Sequence, residues 1–242
     1  MEIRAIKTKI FQENEDLISF ILKYIKKLPE KSVLVVTSKI VALSEGRTRE
    51  CKNVREKIKI IKEESTFAFK TKYTWLTIRD GMVMASAGID ESNADGKIVL
   101  LPKDSFKSAD MIRKALCNKF KIKNLGVLIT DSRLFPLRAG IVGVALGYAG
   151  FQGIRNYIGK KDIFGRMLKM SKTDIADSLA TSAVLCMGEG REQQPIAVIT
   201  NAPIVFTDKI KKRELIIDPK KDIYAPLFVN MSKKRYAKGK QK

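Results

Sequence analysis

The sequence predicts a mixed α/β fold in which helices flank a mixed sheet. Apolar runs typical of buried strands occur at residues 32–38, 125–130 and 195–200. Segments with the apolar spacing of helices lie between and around these runs, at residues 14–28, 105–120 and 171–188. The 242-residue chain is 45% hydrophobic, which is enough to bury a core. Strands that alternate with helices are typical of the α/β class.

The predicted helices have recognisable ends. Pro29 follows the first helix, and Gly46 closes a short helix that begins at the strand-to-helix junction of Ser38 and Lys39. Ser171 with Asp174 three positions later forms a capping box for the last helix, which Gly188 ends. Residues 53–70 are polar and predict one further helix.

Strand signals fill the rest of the chain. Two β-rich runs flank "RDG" within residues 73–87 and predict a hairpin. "KIVLL" predicts another strand, and the strand at residues 125–130 is expected to end on Asp131 and Ser132. "RAGIVGVALGYAGFQG" matches neither a Rossmann nor a P-loop fingerprint, so we expect its glycines to allow close packing.

Composition limits the available chemistry. The chain has no histidine, so an imidazole can be neither a base nor a metal ligand. Cys51, Cys117 and Cys186 are odd in number and widely spaced, and we expect them to be reduced and buried. A bound ion would then have oxygen ligands, which favours Mg²⁺ or Mn²⁺. Neither a signal peptide nor a membrane span is recognisable, so we expect a cytoplasmic protein without a membrane partner.

The net charge of +21 favours either a polyanionic partner or a lysine-rich surface. Part of the excess lies in residues 231–242, which we predict to be a disordered basic tail. A solvated basic end is the preferred interpretation of this tail, and nucleic acid is an unlikely partner.

Three predicted strands end in small polar or acidic residues, in "VVTSK", "SAGID" and "LITDS". Ligands of α/β sheets gather beyond the carboxyl ends of strands, so these ends are expected to converge. The glycine-hinged loop at residues 187–195 adds a further carboxylate. We expect a divalent cation to neutralise the crowded acids and to bind phosphate oxygens. The predicted ligands are Asp90, Asp131, Ser132 and Glu189. The alternative for each acid is a local turn or cap.

Three arginines follow or flank the glycine-rich stretch, namely Arg133, Arg138 and Arg155. A guanidinium can bind a carboxylate or phosphate through two parallel hydrogen bonds. We therefore predict that these residues bind substrate, with ordinary surface arginines as the alternative.

Five segments together resemble the family of coenzyme F420:L-glutamate ligases. They are "GIDESNADG", "LPKDSFKSADMIR", "LITDS", "GKKDIFGR" and "TDIADSLATSAVLCMGEG", and the similarity covers roughly residues 30–200 in the same order. Several matched segments are far more specific than a single motif. The resemblance implies the F420 ligase-like fold in an intertwined homodimer, with one catalytic domain over residues 1–230 that could contain two subdomains.

The resemblance also implies an activity and a set of site residues. The activity is a γ-glutamyl ligation that uses GTP or ATP and two divalent cations, with K⁺ as an additional candidate ion. Asp90 and Asp131 resemble catalytic residues and ligands of one metal, and Ser132 and Glu189 ligands of the second. The residues that match nucleotide contacts of the family are Ser38, Lys39, Asn93, Met187, Gly188, Glu189, Gly190, Arg191 and Gln194.

The chain departs from the family pattern at two places. Leu43 and Ser44 stand where the family usually has lysine and alanine, and Leu134 and Phe135 stand where it usually has Gly-Arg. Because a cation is lost near the substrates, we keep both F420-0 and a folate as acceptors. The expected reaction passes through an acyl phosphate that the amine of L-glutamate attacks. The alternative function is a catalytically retired scaffold that binds nucleic acid through its basic charge.

Overall fold

A computed structural model describes residues 1–92 and 96–226 of the chain. The chain divides into two compact units. Unit 1 contains residues 1–48 and 99–215, and unit 2 contains residues 49–98 and 216–242. The predicted nucleotide contact Asn93 and the predicted basic tail at 231–242 lie outside the described residues.

The described elements include both strands and helices, with a mixed sheet, which confirms the predicted mixed α/β class. In chain order they are β1 (Glu2–Ile6), α1 (Leu17–Tyr24), β2 (Ser32–Thr37), α2 (Ser38–Ser44), β3 (Thr48–Arg49), α3 (Val54–Glu63), β4 (Phe67–Lys70), β5 (Trp75–Arg79), β6 (Met82–Ala85), β7 (Ile98–Val99), α4 (Ser105–Phe120), β8 (Leu125–Leu134), β9 (Ile141–Ala149), β10 (Ile154–Asn156), β11 (Lys172–Asp174), α5 (Ile175–Met187) and β12 (Ile196–Thr200).

Unit 1 is built on a five-stranded mixed sheet in the order β1-β12-β2-β8-β9. Only β2 and β8 run parallel to each other, and the other neighbours are antiparallel. The strands β2 and β8 are buried on both faces, which explains their continuous apolar runs.

Helices cover both faces of this sheet. On one face Val33, Val35 and Leu128 pack against α5 in a cluster that also includes Ala180 and Ala183. The alternate residues of β2 and β8 are equally buried, and they point to the opposite face because side chains alternate along a strand. Helices α2 and α4 also contact this sheet, α2 at β2 and β8 and α4 at β8 and β9.

The β8–β9 hairpin contains a register shift between Ile129 and Thr130. Gly143 lies against α5, where an added Cβ would come within 2.5 Å of the Ala180 carbonyl oxygen. Gly147 lies against the start of α4, where an added Cβ would come within 2.5 Å of the Phe106 nitrogen. The packing role predicted for the glycines of this stretch is therefore confirmed for Gly143 and Gly147, whereas an added Cβ at Gly140 would meet no described atom within 4 Å.

Unit 2 contains α3 and the antiparallel sheet β4-β5-β6. Ile61 of α3 packs with Ala68 and Trp75 in a small core. The nearly buried guanidinium of Arg79 forms an ion pair with Glu64 at 2.7 Å. The hairpin predicted around "RDG" is confirmed as β5 and β6.

Several predicted element boundaries were wrong. The helix predicted for residues 53–70 ends at Glu63, because the alternating "FAFK" pairs with β5 as a strand. Strand β8 does not end at Asp131 but continues to Leu134, since the antiparallel ladder with β9 extends to Ile141. The strand predicted from "KIVLL" covers only Ile98–Val99.

The predicted capping box was displaced by one turn. Helix α5 begins at Ile175, and its N-cap is Asp174, whose carboxylate accepts a hydrogen bond from the Asp177 backbone N–H. Gly188 ends the helix as predicted. The three cysteines are free thiols, but Cys186 is exposed and the other two are half-buried, so the expected burial was wrong. Cys186 is exposed because the residues of α5 that pack inward are Ala183, Val184 and Met187 instead.

No helix in the described part of the chain is both long and apolar enough to cross a bilayer.

Candidate functional site

The parallel pairing of β2 with β8 brings Ser38 and Asp131 together. Thr37 and Thr130 are paired in this ladder, so the next residues of both segments are neighbours. The Ser38 hydroxyl, at the first position of α2, donates a long hydrogen bond of 3.4 Å to Oδ1 of Asp131. This contact matches the predicted convergence of the "VVTSK" and "LITDS" segments.

Ser132 lies on the opposite face of β8 from Asp131, because consecutive residues of a strand alternate. Its partner in β9 is Gly143, which lies against α5. The Ser132 hydroxyl donates a hydrogen bond to Oε1 of Glu189, which follows α5. Two pairs of oxygen donors, Ser38–Asp131 and Ser132–Glu189, therefore flank the same stretch of β8.

Arg133 is the most unusual side chain of this region. It is only 7% exposed, and its Nη1 donates hydrogen bonds to Oδ2 of Asp131 and to the Ser132 carbonyl at 3.0 Å. Its Nε and Nη2 are buried without a hydrogen-bond partner in residues 1–92 and 96–226. A buried unsatisfied donor costs about 1–3 kcal/mol, and more when it is charged. Such a cost is typical of a group held ready for a ligand.

The loop after α5 is organised around Glu192, which lies within the predicted loop at residues 187–195 but is not one of its individually predicted contacts. Gly188 has φ +80°, and Gly190 donates its N–H to Oε2 of Glu192 at 2.7 Å. A Cβ on Gly188 would come within 2.5 Å of the Glu192 carboxyl carbon. The signal that could have found this contact is the alternation of glycine and acid in "GEGRE". The Glu192 carboxylate thus already accepts the hydrogen bond that the Gly190 N–H could otherwise donate to a bound anion.

The other predicted residues of this loop differ in exposure. The side chain of Met187 packs in the core at 2% exposure, so only its backbone remains for a nucleotide. Arg191 is exposed and Gln194 is half-buried. The loop returns to the sheet at Pro195, whose carbonyl accepts a hydrogen bond from Thr37 N–H at 3.0 Å. The loop is thereby attached to the end of β2.

Asp90 belongs to unit 2, where it lies after β6. Its Oδ1 accepts a hydrogen bond from the Ser92 backbone N–H at 2.7 Å, which is the geometry of a local Asx turn. The neighbouring Glu91 pairs with Lys57 at 2.6 Å. The convergence of Asp90 with Asp131 remains a prediction.

Lys39, Arg138 and Arg155 occupy three different settings in unit 1. Lys39 is half-buried at the second position of α2. Arg138 is exposed in the turn between β8 and β9, beside Pro136. The guanidinium of Arg155, on β10, donates to the Pro203 carbonyl and lowers the pKa of Tyr157 through a hydrogen bond. Arg155 thus bonds to residues around β10, Pro203 and Tyr157.

Two further acids of α5 were also missed. Asp177 accepts a hydrogen bond from Ala145 N–H at 2.8 Å, and Asp174 caps the helix. Burial raises the pKa of Asp174 to about 6. Burial also raises the pKa of Asp177, an effect that the positive charge of Arg133 partly offsets. The sequence signal is the acid pair in "TDIAD", which the capping-box interpretation treated only as a helix start.

The donors near Asp131 have the chemistry that a hard cation prefers. Asp131 and Glu189 supply carboxylates, and Ser38 and Ser132 supply hydroxyls, all of them oxygen ligands suited to Mg²⁺ or Mn²⁺. Within the described ranges no three acids or thiols stand close enough to form a metal cluster by themselves. The residues fit such an ion in donor type, and Arg133 already neutralises part of their charge.

Two cavities of unit 1 lie elsewhere. One, of about 600 Å³, is lined by residues near the start of β2 and β8, including Lys31 and Asn124. The other, of about 920 Å³, lies beside α4 and includes Arg113 and Tyr148. Neither cavity is lined by the predicted site residues. The candidate site is therefore identified by the chemistry of its side chains and not by the presence of a cavity.

Comparisons with known proteins give one consistent family. The profile of the F420-0:gamma-glutamyl ligase family matches residues 5–201, from the end of β1 through β12. The chain is 34% identical over 244 residues to the coenzyme F420:L-glutamate ligase of Methanococcus maripaludis strain C7, covering 93% of this chain and 97% of that protein. It is 30% identical to the ligase of the same name from Archaeoglobus fulgidus, covering 78% and 83% of the two chains. With the Methanocaldococcus jannaschii ligase it shares 40% identity, over 60% of this chain and 58% of that one.

Proposed function

Because the chain belongs to the F420-0:gamma-glutamyl ligase family, we propose that it is a nucleotide-dependent ligase that joins L-glutamate to a carboxylate of F420-0 or of a folate. The relatives that cover most of the chain are named for this activity with coenzyme F420. GTP or ATP supplies the phosphoryl group, and Mg²⁺ or Mn²⁺ accompanies it. The active protein is a homodimer in this proposal.

The observation that carries the proposal is the pairing of oxygen donors on both faces of β8. Ser38 meets Asp131 on one face, and Ser132 meets Glu189 on the other. Two separate donor pairs support an assignment of two cations, one to each pair, with Asp90 completing the first. The residues of this chain that would hold the ions are therefore Asp90, Asp131, Ser132 and Glu189.

The reaction consists of two displacements. A carboxylate oxygen of the acceptor attacks the γ-phosphorus of the nucleotide, which releases the nucleoside diphosphate and leaves an acyl phosphate. The amine of L-glutamate then attacks the acyl carbon, loses a proton to solvent and releases inorganic phosphate. Asp131, Ser132 and Glu189, with Asp90, would hold divalent cations, and such cations would supply positive charge against the phosphates. Positioning and electrostatic stabilisation account for most catalysis of phosphoryl transfer, so the absence of histidine from the sequence is no obstacle.

The residues of the chain have distinct tasks in this scheme. Lys39 lies beside Ser38 at the start of α2 and contributes a positive charge for the phosphates. The backbone N–H of Gly190, which Glu192 now occupies, is the kind of donor that a phosphate oxygen accepts from. Arg138 and Arg155 are kept as binders of the carboxylates of acceptor and glutamate.

The central test is a reaction with labelled L-glutamate, in which GTP or ATP is combined in turn with F420-0 or a folate. We expect labelled product and stoichiometric nucleoside diphosphate with one nucleotide and one acceptor. Asp131→Asn keeps the size of the side chain and removes its charge, and it should lower turnover by roughly 100-fold or more.

The matched control is Asp110→Asn, at a half-buried acid of α4 that pairs with Lys114 at 2.7 Å. It should keep wild-type turnover, because surface pairs contribute little. Full activity of the Asp131→Asn protein would refute the metal assignment, and no labelled product with any combination would refute the ligase itself.

A further inference from the structure

Arg133 has an additional role if the proposed function holds, on which that role rests. Only one nitrogen of the Arg133 guanidinium forms hydrogen bonds within the described part of the chain. This nitrogen is Nη1, which donates to Oδ2 of Asp131 and to the Ser132 carbonyl. The donors Nε and Nη2 are both buried, and neither has a partner among the described residues. These two donors form one planar edge of the guanidinium, the edge that binds two oxygens of a phosphate or carboxylate in parallel.

The position of Arg133 places it in competition with a cation. Asp131 has two carboxylate oxygens, of which Oδ1 accepts from Ser38 and Oδ2 accepts from Arg133. A divalent cation that binds Asp131 must share this carboxylate with a guanidinium, and like charges at such distances repel. Arg133 therefore has to leave Asp131, at least in part, when the cation enters.

The β8–β9 turn itself provides few other cations. After Arg133 the β8–β9 turn continues with Leu134 and Phe135, both exposed, and the next charged residue is Arg138. If Arg133 is displaced from Asp131, it is thus the cation of this hairpin nearest to Asp131 along the chain, and it becomes available to an anionic reactant. Its planar edge is already formed and lacks a partner, so binding two phosphate oxygens would satisfy both donors.

We propose that Arg133 is a phosphate-binding residue that neutralises Asp131 until a divalent cation takes its place, and that it then binds the phosphoryl group of the nucleotide through Nε and Nη2. Arg133 thereby couples the entry of the cation to the entry of the nucleotide. The cation alone binds weakly because it must displace a guanidinium. The cation with nucleotide binds more tightly because the displaced guanidinium gains a phosphate.

The test measures Mn²⁺ binding by electron paramagnetic resonance, with and without a β,γ-methylene analogue of GTP or ATP, so that no turnover is needed. In the wild-type protein the nucleotide should tighten Mn²⁺ binding. Arg133→Gln should bind Mn²⁺ alone roughly fivefold or more tightly than the wild type, and it should lose most of the tightening by nucleotide. Either a Mn²⁺ affinity unchanged in the absence of nucleotide or an intact tightening by nucleotide would overturn the proposal.

Arg133→Lys separates charge from geometry. A lysine keeps the positive charge beside Asp131 but has no planar edge. We expect Mn²⁺ alone to bind as in the wild type, while the tightening by nucleotide is lost. Arg166→Gln, at an exposed arginine in the loop between β10 and β11, is the control and should match the wild type in both measurements. Thermal unfolding of each variant checks that it is folded.

Asp131→Asn in the same assay separates this proposal from the proposed function. If its Mn²⁺ affinity equals that of the wild type, the metal assignment fails. If Mn²⁺ binding is weakened in Asp131→Asn but unchanged in Arg133→Gln, only the role of Arg133 is overturned.

Discussion

The two halves of strand β8 differ in almost every physical respect. Residues 125–129 are apolar and buried on both faces, and Val127 and Leu128 have no exposed surface. Residues 131–133 are polar. The Asp131 carboxylate is held by the Arg133 guanidinium, two of whose donors have no partner among residues 1–92 and 96–226. The first half lowers the free energy of the fold. The second half keeps groups that raise it, which is the arrangement expected where a protein binds ligands.

The largest expected effect on stability comes from the first half. Leu128→Ala removes a fully buried side chain between β2, β9 and α5. It should lower the free energy of unfolding by about 2–5 kcal/mol, from lost burial and the cavity that remains. Urea denaturation measures this loss, and turnover per folded molecule should stay within twofold of wild type. A loss below about 1 kcal/mol would contradict the distinction between the two halves.

The next effect tests the packing of the hairpin on α5. In Gly143→Ala the new Cβ would meet the Ala180 carbonyl and Val184 at 2.5 Å, so backbone must shift. We expect a loss of about 1–3 kcal/mol in the free energy of unfolding. Gly190→Ala is the matched control for stability, because its Cβ would meet only the flexible end of Glu192 at 3.3 Å. Equal stability of both variants would refute a packing role for Gly143.

Ser132→Ala tests the second half of the strand, where we expect a small change in stability and a large change in turnover. The hydroxyl is partly exposed and binds Glu189, so its removal should change the free energy of unfolding by no more than about 0.5 kcal/mol. Turnover should nevertheless fall about tenfold, equivalent to roughly 1.4 kcal/mol in the activation barrier. Steady-state kinetics measures the turnover, and urea denaturation of the same preparation measures the free energy of unfolding. Unchanged turnover would remove Ser132 from the site.

The smallest effect is a dependence of stability on pH. The pKa of Asp174 is raised by burial from 3.8 to about 6, so the folded state binds more protons than the unfolded state between these values. This group therefore lowers stability as pH rises from about 4 to 6, and the loss persists above pH 6. Asn is an equally good N-cap, and Asp174→Asn removes the ionisation.

Thermal unfolding at two pH values measures the loss of stability that ionisation of Asp174 causes. The melting temperature of Asp174→Asn should exceed that of the wild type by about 2–4 °C at pH 7.5, with little difference at pH 4. A difference that is the same at both pH values would show that ionisation of Asp174 is not its cause.

Much of unit 1 followed from local patterns. The helix predicted at residues 105–120 has the bounds of α4, because its N-cap Asp104 and its apolar spacing are local signals. The contact of Ser38 with Asp131 followed from two buried runs that could be expected to lie parallel. Strands β1, β3, β10 and β11 were missed since they are short or partly exposed and owe their conformation to pairing with distant residues. The longer, buried β9 was missed as well, because its glycines were interpreted only as packing positions.

The least predictable features of the site were those set by packing. Nothing in "TDSRL" indicates that Arg133 is buried or that its partner is Asp131. Its burial depends on the continuation of β8 beyond Asp131, which the sequence reasoning had ended too early. The bond between Gly190 and Glu192 likewise depends on the path of the loop and not on residue type alone.

The register shift in the β8–β9 ladder has a consequence for how this hairpin can change in length. Gly143 and Gly147 are four residues apart and would share a face in a regular strand, yet they lie against different helices. The extra residue at Leu146 reverses the parity of β9 between them. Deleting it would exchange inward and outward side chains over Ile141–Ala145, whereas added residues in the turn at 135–140 would leave that parity intact. Natural or engineered insertions should therefore be tolerated at the tip and rejected within the strand.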